Sequence, residues 1–67
     1  MSDIETLKAE IKKLSGRAIT MKMNLHDLSE ELPIGWQTIM SVAQETHDAY
    51  QALEAARKNL KELEAKV

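Results

Sequence analysis

The chain has 67 residues, a formal net charge of −2, no cysteine and two aromatic residues, Trp36 and Tyr50. A single domain of this size buries only about 60% of the surface its unfolded chain exposes. Disulfides are excluded, which leaves self-association as the leading source of extra stability. No apolar run approaches the roughly 20 residues of a membrane span or resembles a secretory leader, so a soluble cytoplasmic protein is expected, with no membrane in its function.

Ser2 followed by Glu5 reads as a capping box that opens a first helix. From there Ile4, Leu7, Ile11, Leu14, Ala18, Met21, Leu25, Leu28 and Leu32 recur in unbroken 3-4 spacing, the repeat of a left-handed coiled coil or bundle. Gly16 falls on the outward face and costs about 1 kcal/mol relative to alanine. Pro33 has no amide hydrogen and pushes the residue before it away from the α region, so the first helix ends there. Gly35 is an acceptable cap for a second helix. That choice pairs Ile34 with Ile39 as a hydrophobic staple.

In the second helix Ile39, Val42, Thr46, Ala49, Leu53, Ala56, Leu60, Leu63 and Val67 repeat the 3-4 alternation. The expected fold is all-α, one domain over residues 1–67: helix 1 over about 3–32, a turn at 33–35 and helix 2 over about 36–66. Each helix is roughly 45 Å long at about 1.5 Å per residue, and so short a connection makes them antiparallel neighbours. Ala18 then lies near Ala49, a waist where small residues let the backbones approach closely.

Charge is unevenly spread. No Lys or Arg stands between Met23 and Ala56, where Asp27, Glu30, Glu31, Glu45, Asp48 and Glu54 all fall, and the lysines and arginines lie in the outer segments. The turn end of the hairpin is therefore acidic and the open end basic. Two helices meeting along one seam leave its flanks wet, and a second copy covers them to give a four-helix bundle. Antiparallel hairpins set each acidic end beside the other's basic end, which favours that homodimer over the parallel one.

Three groups of residues bear on function. On the outward face of helix 1, Gly16, Ile19, Met23, His26 and Glu30 follow at 3-4 spacing; Ile and Met in register off the seam suit either a wider core or a docking strip rimmed by carboxylates such as Asp27. His26 and Glu30, at i and i+4, could share a transition-metal ion with His47 from across the turn. Trp36 and Tyr50 lie on one flank of helix 2, where they close the edge of the core or anchor an interface. Catalysis has no support, since no cysteine, glycine-rich phosphate loop or Ser/His/carboxylate relay is present and a bundle this small is expected to lack a pocket of about 300 Å³. Nucleic-acid binding is not expected either, because it needs a continuous basic face.

Met21-Lys22-Met23, Leu25-His26-Asp27-Leu28 and Leu32-Pro33, with Lys12-Lys13-Leu14 before them and Trp36 and Val42-Ala43 after, span nearly the whole chain. The chain resembles the small Rop-like proteins encoded in nitrogen-fixation gene clusters beside the cofactor-assembly protein NifX. It departs from them at Asn24, where members usually carry an acid, and at Ile34-Gly35, where they usually carry Thr-Asp. The resemblance implies a helical hairpin, dimeric in the family and of no established activity; the residues themselves give no reason to expect an enzyme or a resident cofactor. The resemblance also implies partners among nitrogenase, through its molybdenum-iron component, and the proteins that assemble its cofactor, with His26, Asp27 and Glu30 in the binding block.

Overall fold

The computed structural model describes residues 3–66. Two long α-helices, α1 (Asp3–Glu31) and α2 (Ile39–Ala65), are joined by a turn and one 3-10 turn, Trp36–Thr38. They pack side by side into a rod of 51 × 15 × 13 Å. The antiparallel hairpin expected from the two 3-4 repeats is present. Ser2 of the expected capping box lies outside the described residues.

The 3-4 seam closes as its spacing dictates, most tightly at its narrowest side chains. Ala18, Ala49, Leu53 and Ala56 are buried, with Ala18 only 1% exposed, and Ile11, Leu14 and Met21 pack against the cluster. The small methyl groups of Ala18 and Ala49 allow the helices to meet at the expected waist. One turn nearer the loop, the Thr46 hydroxyl faces the Val42 carbonyl at 2.8 Å and the Met21 carbonyl of the other helix at 3.2 Å, so its single hydrogen is shared between them. Of the remaining larger seam residues, Leu7, Leu25, Leu28, Leu60 and Leu63 are only half-buried, and Leu32 and Ile39 beside the turn are exposed, at 42% and 36%. One copy of the hairpin therefore leaves much of its own apolar stripe in contact with water.

The connection is longer than the expected 33–35, since α1 ends at Glu31 and α2 begins at Ile39, and it is wound in three-residue closures. Its amides bond three residues back: Ile34 donates to the Glu31 carbonyl at 3.0 Å, Trp36 to Pro33 at 3.3 Å and Thr38 to Gly35 at 2.9 Å. The Leu32–Pro33 peptide is cis. Gly35 sits at φ 78°, ψ 11°, the values that the third residue of a type II turn requires and that only glycine adopts without strain. Helix 2 was expected to be α-helical from Trp36. Instead the Gly35 carbonyl accepts both the amide and the hydroxyl of Thr38, the latter at 2.8 Å, and this three-residue closure holds the first turn in 3-10 form until Ile39. The expected staple is also absent in effect, for Ile34 is 74% exposed.

Gly35→Ala tests this turn. An added Cβ would stand 3.3 Å from Leu28 Cδ1 as well as occupying a left-handed conformation, so a loss of about 1–2 kcal/mol is expected by thermal unfolding. A variant as stable as the parent would mean that the turn is not held in this geometry.

Candidate docking surface

The outward strip of α1 is real and open. Ile19 is 56% and Met23 50% exposed, on a face that α2 does not reach, while Gly16 has no side chain or neighbouring backbone within 4 Å of where a Cβ would be. Further along the same face His26 sits between two carboxylates, with Nδ1 3.5 Å from Asp27 Oδ1 and Nε2 3.3 Å from Glu30 Oε1. A neutral imidazole carries one N–H and no charge; a protonated ring carries two and sets its positive charge between both carboxylates. The backbone here is pinned by Ser29, whose hydroxyl donates to the His26 carbonyl at 2.7 Å.

On α2, His47 and Asp48 approach to 3.3 Å and the Gln44 amide donates to the same Asp48 oxygen at 2.8 Å. These bonds, from His47 first and Gln44 second, stabilise the charged form and hold the Asp48 carboxyl below its ordinary range. The three expected metal ligands are not brought together. His26 and His47 each stand one residue past a seam residue, about 100° round the helix from it, so both point outward and away from the opposite helix. Among the described residues no three His, Cys, Asp or Glu side chains are gathered as a metal ion needs. His26 and Glu30 form an ordinary exposed i,i+4 pair.

Tyr50 is exposed on α2 and Trp36 on the 3-10 turn that precedes it. The residues that sequence reasoning missed are Ile34 and Met40. Ile34 is expected in a staple but is 74% exposed, and Met40, which the heptad puts outside the seam, is 81% exposed. The surface also has larger concavities than expected: an open groove of about 430 Å³ between the helices at the open end, lined by residues including Leu7 and Leu63, and one of about 450 Å³ beside Leu14 and Arg17.

A long hairpin with a small-residue waist and a 3-4 seam along both helices invites comparison with known bundle proteins. A family model described as Rop-like matches residues 2–65. The chain belongs to the Rop-like family. It is 69% identical over 65 residues to a UPF0437 protein of Azorhizobium caulinodans, covering 97% of this chain and 94% of that one. A UPF0437 protein of Frankia alni, described by its place in the nifX-nifW intergenic region, is 44% identical over 48 residues, which cover 72% of this chain and 58% of its own length. The NMR structure of a structural-genomics target is 48% identical, superimposes with a TM-score of 0.89 and covers 96% of this chain and 90% of its own. The Rop-like assignment bears out the resemblance read from the sequence, and the Frankia alni relative is one whose place lies among nitrogen-fixation genes. No helix among the described residues is long and apolar enough to cross a membrane.

Proposed function

We propose that this Rop-like chain is a non-enzymatic accessory protein of nitrogen fixation, acting in the cytoplasm by docking on the molybdenum-iron component of nitrogenase or on a protein that assembles its cofactor. The observation that carries the reading is the strip of Ile19 and Met23, in register on a face the hairpin leaves half-exposed and continued by His26, Asp27 and Glu30. Two apolar residues in register beside carboxylates suit a partner surface. The relative in the nifX-nifW region supplies the biological setting. The role needs no resident cofactor or metal. In the free state a second copy covers the half-buried seam and forms an antiparallel four-helix bundle. The docking strip lies off that seam, so the homodimer does not hide it.

Native mass spectrometry of the untagged protein mixed with the purified molybdenum-iron component, and separately with each cofactor-assembly protein, tests the proposal. One of the mixtures is expected to give a new species carrying one or two copies of the chain. Replacing Met23 and His26 together by Asp should abolish it while helicity stays intact, since both positions are exposed. Capture that survives the double substitution would remove the strip from the interface.

A further inference from the structure

The turn end of the rod combines two features that are each unfavourable for the free chain. The first is apolar: Met40 is 81%, Ile34 74% and Trp36 59% exposed, and Trp36 and Met40 stand about one helical turn apart. None of the three belongs to the seam. Met40 lies one residue past Ile39, about 100° round the helix, and Ile34 lies in the turn beyond the end of α1. Neither Met40 nor Ile34 lies on the seam that a second copy would cover, so the proposed homodimer gives no direct reason for their exposure.

The second feature is electrostatic. The last turn of α1 contains Glu30 and Glu31 and no basic residue, placing negative charge at the negative pole of the helix dipole, where cations are favoured. No Lys or Arg lies anywhere from Met23 to Ala56 to compensate. Local conflicts of this kind, kept without an internal gain, mark places where something outside the chain supplies the gain.

We propose that the turn end is the anchoring point of the docking just described: Trp36, Ile34 and Met40 enter an apolar cleft on the partner protein, and Lys or Arg side chains rimming that cleft meet Glu30 and Glu31. This rests on the docking reading and adds the chemistry of the partner's surface. An apolar centre with a complementary charged rim is the arrangement in which a few desolvated side chains hold an interface, with Trp prominent among them, while the opposed charges set orientation and association rate. A membrane surface is disfavoured as the occupant, since anionic headgroups repel the acidic rim.

The test uses the full chain and whichever purified nitrogen-fixation component captures it. Two variants are compared with the parent, Ile34→Ser combined with Met40→Ser, and Glu31→Lys. The apolar double variant should weaken capture about tenfold or more, with the homodimer mass and helicity unchanged. Glu31→Lys should weaken capture most at low salt and, by placing a cation at the end of α1, raise the melting temperature of the free chain; a residue with a merely structural role would not move the two in opposite directions. Undiminished capture by both variants overturns the assignment alone. Loss of the homodimer in the Ile34/Met40 variant also overturns it, making a second copy the occupant. A parent chain captured by no component overturns the docking reading and this assignment with it.

Discussion

Leu53→Ala is expected to lower the unfolding free energy by about 2–4 kcal/mol, as large-to-small changes at buried leucines do. A domain of this length has only about 3–10 kcal/mol to lose. Leu53 is 5% exposed and, among the described residues, is the one buried residue larger than alanine, and Leu14 and Ile11 pack on the cluster it belongs to. Circular dichroism during chemical unfolding at fixed protein concentration measures the effect. The informative comparison is Leu7→Ala, at a seam residue that is only half-buried in the single hairpin. If the two cost the same, and both depend on protein concentration, then a second copy covers Leu7. If Leu7→Ala costs clearly less at every concentration, the hairpin stands alone.

Ala18→Leu should be destabilising by about 1–3 kcal/mol, because added methylenes in a closely packed site force neighbours off their rotamers or the backbones apart. The position is 1% exposed and shares its cluster with Ala49 and Leu53. The same change at Ala55, an exposed residue of α2, should fall within about 0.5 kcal/mol of the parent. Thermal melts of the two variants decide the matter: an Ala18→Leu variant as stable as Ala55→Leu would mean that the waist is not closely packed.

The seam was legible because 3-4 spacing is a property of the sequence alone, and the helices follow it from Ile4 to Leu63, though it opens to water at Leu32 and Ile39 beside the turn; Val67, its last expected member, lies outside the described residues. The turn was legible in place, through Pro33 and Gly35, but not in kind. Whether the first turn after Gly35 is α or 3-10 depends on which amide reaches the Gly35 carbonyl, and Thr38 settles that with two bonds that no periodicity encodes. His26 and His47 were matched by height along the rod, yet a metal site also needs them to converge in azimuth, and the heptad already assigns both to outward positions. Met40 shows the opposite error. Its position off the seam could be read directly, but a lone methionine beside a seam isoleucine gives no hint that most of its surface stays in water.

The register that sets Met21 beside Thr46, residues 25 apart in the chain, has a kinetic side. Each contact across the hairpin joins residues equally far from the turn, so the loops they close are nested, the shortest lying next to Gly35. Doubling a loop adds only about 0.6 kcal/mol of closure entropy. Once the first pairs beyond the turn have met, every later pair closes at small extra cost and the chain can zip outward through the Ala18–Ala49 waist. The open end, where the last pairs form, is then also the first to fray, so the ends of such a rod differ in how long they stay closed as well as in charge.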